Sequence, residues 1–357
     1  MDSLKKKILI AFDDPGGGLA VSSLIEKIEK EINSDIAIYA GKLSRRFLSN
    51  IRSGNIRIEE IDSKIEKEYA EDIFEKENPD LLITGTGGGN AEQELRNVAY
   101  RKSIRSVVIL DFWKDYSRRW KYSDYSIEDM NEKICVMDDL TKEEMEAENF
   151  KSDNLAVTGH PYLDRIFSER ERHIDHSNQR NFTENILFLS QPLDIIGLKE
   201  YDIHPLENFL IAVSRIAEHR KQLLNVKIKL HPSEQTSEEI SIIINKYNRE
   251  FITAELVTQN ISLNELISDA DIVAGYNTIA LFEARAAGKR AVSIRVADIT
   301  NSLKEAMENA GIEITDPDSE SISKCINEHN VWEINYQNFS GGIVNCVNVI
   351  KKELSLN

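Results

Sequence analysis

Short β-branched, apolar runs recur along the whole chain, and most neighbouring pairs are separated by a stretch long and amphipathic enough to be a helix. That alternation is the pattern of βαβ units around a parallel sheet, and it leaves little room for an all-helical or all-β fold. The first series of expected strands is Ile8–Phe12, Ile36–Tyr39, Ile56–Ile61, Leu81–Thr84, Val107–Asp111, Ile134–Met137 and Leu155–Thr158. A second series follows at Ile186–Ser190, Val226–Leu230, Ala254–Val257, Ile272–Ala274, Ala291–Arg295 and Ile312–Thr315. The clearest helices are expected at Leu19–Glu31, Ala91–Lys102, Leu206–Leu224 and Ser262–Ala270.

Between the two series, 167–184 is polar, charged and without apolar period, which marks it as a linker. The reading is therefore α/β, with two Rossmann-like domains facing each other across a cleft, 1–166 and 185–357. The last helical pattern, Gly341–Leu354, carries Ile343, Val344, Val347, Val349 and Ile350 and is able to pack back across the junction.

A length of 357 residues with 41% hydrophobic content gives each half enough apolar side chains for its own core. No apolar run is long enough to span a membrane, and the N-terminal Lys5-Lys6-Lys7 leads straight into a strand without a signal-peptide pattern, so a cytoplasmic protein is expected. Peripheral contact with a membrane surface is compatible with this reading. Cys135, Cys325 and Cys346 are odd in number and lie in apolar stretches, which suits reduced core thiols. The net charge of −17 opposes general affinity for nucleic acid, so an anionic ligand has to be met by local groups.

Five segments carry groups suited to such a ligand. The first strand runs into Asp13-Asp14-Pro15-Gly16-Gly17-Gly18 and then a helix, and ligands of open α/β sheets sit past the carboxyl ends of strands. Glycines such as Gly16 and Gly17 let backbone approach a ligand, and Asp13 or Asp14 is placed to take a proton from a hydroxyl or to brace the turn. Asp14 is favoured as the base because it lies farther past the strand. The second turn, Thr84-Gly85-Thr86-Gly87-Gly88-Gly89-Asn90, repeats the arrangement, and Asp111-Phe112-Trp113-Lys114 to Arg118-Arg119-Trp120 adds a loop of aromatics and cations suited to a sugar or anion.

In the second half, His231-Pro232 ends a strand, where a histidine can donate to a phosphate or protonate a leaving group. The most specific segment is Gly275-Tyr276-Asn277-Thr278, followed by Glu283-Ala284-Arg285-Ala286-Ala287-Gly288: strand, turn, helix start and glycine stop. The amides at Asn277 and Thr278 suit an anion, and Glu283 suits a ribose hydroxyl.

Together, Lys229-Leu230-His231-Pro232 and Gly275-Tyr276-Asn277-Thr278 with Glu283 resemble the donor half of GT-B glycosyltransferases. The resemblance implies that the C-terminal domain holds a nucleotide sugar, with Glu283 on the ribose, and that the first glycine turn carries the base. Leu187-Phe188-Leu189-Ser190-Gln191-Pro192 with the His231 motif is similar to bacterial sialyltransferases and other CMP-sugar enzymes, which places Gln191 and His231 with the donor. The His231-Pro232 and Tyr276-Asn277-Thr278 segments are also similar to those of teichoic-acid glycerophosphotransferases. Val157-Thr158-Gly159-His160-Pro161-Tyr162 resembles the domain junction of hydrolysing UDP-N-acetylglucosamine 2-epimerases. That family carries acids after the fourth and fifth strands and a histidine opening the second domain, where this chain has Gly85 to Gly89, Phe112 to Lys114 and Ser190-Gln191.

The resulting expectation is an inverting, metal-independent glycosyl transfer from a CMP- or UDP-sugar to a glycan or lipid-linked acceptor. No cofactor besides the nucleotide-sugar substrate is expected, because no D-x-D-type metal motif occupies a suitable loop. The alternatives are a UDP-N-acetylhexosamine 2-epimerase, a glycerophosphotransferase-like enzyme, and an inactive sugar-nucleotide-binding protein.

Overall fold

A computed structural model describes residues 5–49, 51, 54–171, 184–193, 200–231, 234, 238–257, 261–328 and 333–355. The chain divides into two compact units, one made of 1–168 with 337–357 and the other of 169–336.

In the first unit the order is β1 (Lys6–Phe12), α1 (Pro15–Glu31), β2 (Ser34–Gly41), β3 (Ile56–Ile61), α2 (Lys67–Glu77), β4 (Leu81–Thr84) and α3 (Ala91–Arg101). It continues with β5 (Arg105–Ile109), β6 (Lys133–Val136), α4 (Asp139–Ala147), β7 (Leu155–Val157) and α5 (Pro161–Glu171). All seven strands are parallel, in the order β3-β2-β1-β4-β5-β6-β7.

The second unit runs β8 (Glu184–Leu189), α6 (Pro205–Arg220), β9 (Leu224–Lys229), α7 (Glu238–Tyr247), β10 (Ile252–Leu256), α8 (Leu263–Asp269), β11 (Ile272–Gly275) and α9 (Ile279–Ala286). Then come β12 (Arg290–Ile294), α10 (Asn301–Asn309), β13 (Glu313–Thr315) and α11 (Ser319–Asn327). Its six parallel strands lie in the order β10-β9-β8-β11-β12-β13, so both sheets repeat one Rossmann-like topology. The strand order reverses direction between β1 and β4 in one sheet and between β8 and β11 in the other.

The strand β1 shows why its sequence is continuously apolar. Ile8, Ile10 and Phe12 point into one core with α1, while Leu9 and Ala11 point into another with α2 and α3. A parallel strand covered on both faces has no polar side to show.

The structure corrects several boundaries. The helix α1 starts at Pro15 rather than Leu19, because Asp14 caps it and Pro15 supplies a preset φ at its first position. Gly16, Gly17 and Gly18 therefore form its first turn. The helix α6 ends at Arg220 instead of Leu224, since Lys221 turns left-handed at φ 51° and Leu224 opens β9. The strand β5 ends at Ile109, which leaves Asp111 beyond it in a loop. Of the expected linker, 167–171 is the last part of α5 and 172–183 lies outside the described residues.

The final helix, α12 (Gly342–Glu353), belongs to the first unit, so the second domain does not run on to the end of the chain. Cys346, Val347, Ile350 and Leu354 enter the core formed by Ile8, Ile10, Phe12 and α1. Asn345 Nδ2 donates to Thr158 O at 3.0 Å and the Ile343 N–H to Asp164 Oδ2 at 2.9 Å, which pins the helix against β7 and α5. Gly159, at φ +89°, lets its backbone lie against Gly342. Ile350→Ala should cost about 2–5 kcal/mol of first-unit stability through the cavity left behind, as read by urea unfolding. The three cysteines are free thiols, with Cys135 and Cys346 buried.

Candidate functional site

The richest group of functional side chains in the first unit lies past the carboxyl ends of β1, β4 and β5, around the switch point of the sheet. Asp14 sits on the N-terminus of α1, where its Oδ1 accepts from the Gly17 N–H at 2.8 Å, and its Oδ2 accepts from the Gly88 N–H at 3.3 Å. It is thus cap and candidate base in one. Burial, with the nearby carboxylates of Asp111 and Asp13 adding to it, pushes the Asp14 carboxyl up to about 7.

Asp13 is buried, and its N–H donates to Glu92 Oε1 at 3.0 Å. Its Oδ1 has no hydrogen-bond partner, and neither has Glu92 Oε2. Glu92, from the first turn of α3, is held well above the usual carboxylate range by burial and by Asp13. Asp111 accepts at Oδ1 from Thr86 Oγ1 at 2.7 Å and from Arg119 Nη1 at 2.6 Å. Its backbone carbonyl meets His160 Nε2 at 3.0 Å, and the His160 ring stacks on Trp113. Burial lowers the His160 pKa, which favours the neutral ring.

A buried arginine supports this group from below. Arg96 donates to Thr84 Oγ1 at 3.1 Å and to the Gly85 carbonyl at 3.0 Å, and it pairs with Glu132 at 3.4 Å, both partners being 1% exposed.

The glycines have separate reasons to be there. Gly17 and Gly85 bring two turns into backbone contact, a Cβ on Gly85 falling 3.0 Å from Gly17 Cα. At Gly16 a Cβ would overlap Asp111 Oδ2, and at Gly87 it would overlap Asp13 Oδ1 while lying 2.5 Å from Glu92 Oε1. A Cβ on Gly88 meets nothing within 4 Å. Gly87→Ala should therefore lose about 1–3 kcal/mol of stability by forcing the carboxyl pair apart, whereas Gly88→Ala stays within about 0.5 kcal/mol of the parent. Parallel thermal melts check the contrast.

In the second unit the corresponding groups lie past β8, β9 and β11. Ser190 Oγ donates to Glu234 Oε1 at 2.9 Å, and the His231 N–H donates to Glu234 Oε2 at 2.8 Å, so one carboxylate ties two strand ends together. The His231 side is exposed, while Pro232 lies outside the described residues. Gln191 is half-buried, with Oε1 lacking a partner.

Gly275 is the last residue of β11, where a Cβ would lie 2.8 Å from Leu189 O, so its smallness serves the packing of β11 on β8. Tyr276 is a core ring set edge-on to Phe188. Asn277 is buried and accepts from Ser293 Oγ at 3.2 Å. Thr278 caps α9, accepting from the Ala280 N–H at 3.4 Å, and half-buried Glu283 stands on the second turn of that helix. The stop at Gly288 is left-handed, at φ +83°.

Sequence reasoning placed Asp111 and Arg119 in the aromatic and cationic loop without giving either a role of its own, and it passed over Glu92. Asp111 stood both as the last residue of an overlong strand and as the first of that loop, and the structure places it in the loop. Glu92 carries no local signal, since an acid in the first turn of a helix is ordinary. Among the described residues, no group of three or more His, Cys, Asp or Glu is placed to hold a metal ion. No helix of the described residues is long and apolar enough to cross a membrane.

No protein-family model matches the chain, and no curated protein matches its sequence. Solved structures do match over nearly its whole length. S. aureus MnaA, in a structure with UDP, is 15% identical with a TM-score of 0.70, covering 99% of this chain and 98% of that one. The UDP-GlcNAc 2-epimerase of Neisseria meningitidis, bound to UDP-GlcNAc, is 15% identical with a TM-score of 0.65, covering 98% and 100%. Acinetobacter baumannii MurG is 12% identical with a TM-score of 0.51, covering 96% and 95%. At these identities the likeness is one of fold, and it places the chain among two-domain Rossmann-like proteins of GT-B type.

Proposed function

We propose that the chain is an enzyme that turns over a UDP-activated N-acetylhexosamine without an acceptor, in the manner of a 2-epimerase. The observation that carries this reading is the first-unit carboxyl group, in which Asp14 is pushed up to about 7 beside Asp13, Glu92 and Asp111. Changing the configuration at carbon 2 of a sugar requires removal of the proton there, and a carboxylate poised near neutrality suits that task. The C–H electron pair forms a double bond between carbons 1 and 2 as the bond from the anomeric carbon to the phosphate oxygen breaks and its pair departs with the nucleotide. Return of a proton to the opposite face of carbon 2, with the nucleotide or water adding at carbon 1, completes the inversion. The match to epimerase structures over 98% or more of both chains supports this choice over the more distant MurG likeness. Asp111 also supports it, since it supplies an acid past the fifth strand.

Within the second unit, the capped start of α9 at Asn277 and Thr278 suits the phosphates, His231 suits a phosphate oxygen, and Glu283 suits the ribose hydroxyls. Glycosyl transfer to a glycan or lipid-linked acceptor is the second reading, favoured by the position of Asp13 and Asp14 at the end of β1. Incubation with UDP-N-acetylglucosamine, followed by proton NMR, separates the two. Acceptor-free appearance of UDP, or of a sugar inverted at carbon 2, supports the first reading. Turnover that needs an added acceptor supports the second. If none of UMP, UDP, CMP, CDP and GDP raises the melting temperature, both readings fail.

A further inference from the structure

We propose that Asp13 and Glu92 share a single proton, forming a pair of net charge −1 that sets the ionisation of Asp14. Three independent features of the structure point to this pair.

First, the Asp13 N–H donates to Glu92 Oε1, which ties the strand end to α3 and holds the two carboxyl groups in register. Second, the Cβ that Gly87 lacks would meet both Asp13 Oδ1 and Glu92 Oε1, so the two groups converge on one small space. Third, Asp13 Oδ1 and Glu92 Oε2 are buried oxygens without a donor. Two carboxylates this close and this dry cannot both be ionised cheaply, and a proton between them supplies the missing donor.

The surrounding cations offset this only in part: Arg96 favours the Glu92 carboxylate, but burial, Asp13 and Asp14 outweigh it. Arg96, about one turn along the same helix from Glu92, is committed to Glu132, Thr84 and the Gly85 carbonyl, Arg101 at the far end of that helix pairs with Glu71 and Asp124, and Arg119 is committed to Asp111 and Thr86. The remaining charged groups that bear on Glu92 are Asp13 and Asp14, both acidic. Asp14 in turn faces Asp111, Asp13 and Arg119. The charge on the pair is therefore one of the influences that hold Asp14 near neutrality, and the pair acts as a positioning element rather than a reacting group. The use of Asp14 as a base rests on the function proposed above; the shared proton does not.

Carboxyl ¹³C NMR on protein labelled at its Asp and Glu side chains tests the pair without any activity assay, with Asp14 assigned by the signal lost in Asp14→Asn. At pH 7.5 the wild type should show a neutral carboxyl in the pair. Glu92→Gln, an isostere that keeps the acceptor for the Asp13 N–H, should leave the Asp14 midpoint in place, because the pair still carries one negative charge. Asp13→Asn with Glu92→Gln should lower that midpoint by about one unit, because the charge is gone.

A drop already present in Glu92→Gln would mean two charges in the wild-type pair and would overturn the proposal. An unmoved midpoint in the double variant would mean that the pair carries no charge, and would overturn it equally. If the double variant does not fold, the wild-type and Glu92→Gln spectra decide: two ionised signals in the wild-type pair, or an altered Asp14 midpoint in Glu92→Gln, refute it. Absence of sugar-nucleotide turnover would count against the proposed function alone.

Discussion

Asp14→Asn should lower turnover of a nucleotide sugar by about 10² to 10⁴ while leaving nucleotide affinity within about twofold, the pattern of a lost general base. The substitution is suited to the test because asparagine caps a helix as well as aspartate does. Its Oδ1 can still accept from the Gly17 N–H, so α1 keeps its start. The parent rate should rise with pH and level off above about 7, because the carboxylate is the active form and Asp14 ionises there.

Stability should move the other way. The folded-state value of Asp14 lies above the unfolded carboxylate value, so the folded protein binds that proton more tightly. This contribution is complete below about pH 4 and is lost as the pH rises through about 7. Asp14→Asn removes the loss, and at pH 8 the variant should melt above the parent. A slow variant that is also less stable at pH 8 would show Asp14 to be a structural cap and nothing more. Full activity in both Asp14→Asn and Asp13→Asn would place the base elsewhere.

The second large effect is structural. Arg96→Ala should destabilise the first unit by about 3–5 kcal/mol, because it leaves Glu132 buried without its cation. The same change strips a donor from Thr84 Oγ1 and from the Gly85 carbonyl, at the mouth of the glycine turn. It also removes the guanidinium that lies over the Trp120 ring at 5.3 Å. Urea titration with tryptophan fluorescence reads the loss. Arg96→Met with Glu132→Leu should recover only part of it, since replacing a buried pair by apolar groups often costs little but here strands the Trp120 Nε1 and Tyr125 hydroxyl donors that Glu132 accepts from. A single variant within about 1 kcal/mol of the parent would show that the pair is solvated and not buried.

Much of the architecture could be read from periodicity. Strands buried on both faces appear as unbroken apolar runs such as Ile8 to Phe12, and helices packed on one face appear as amphipathic stretches, so the order of elements in both units was legible. Turn chemistry was legible in part: Asn277-Thr278 opens a helix and Gly288 closes one, because caps and left-handed stops are local requirements, whereas the glycines after Pro15 masked the true start of α1. What the sequence could not decide was which distant side chains meet. The attachment of α12 to the first unit depends on Val347 and Ile350 finding the core around Ile8 and Ile10, a choice made by complementary surfaces far apart in the chain. The carboxyl group has the same origin. Asp13, Glu92 and Asp111 come from three elements, and only the ordering of β1, β4 and β5 side by side brings Asp13 and Asp111 close enough to raise the Asp14 carboxyl and Asp13 close enough to raise that of Glu92. Their proximity, and with it the poise of Asp14, is a property of the sheet topology, because electrostatic coupling depends on distance and burial, which residue spacing along the chain does not specify.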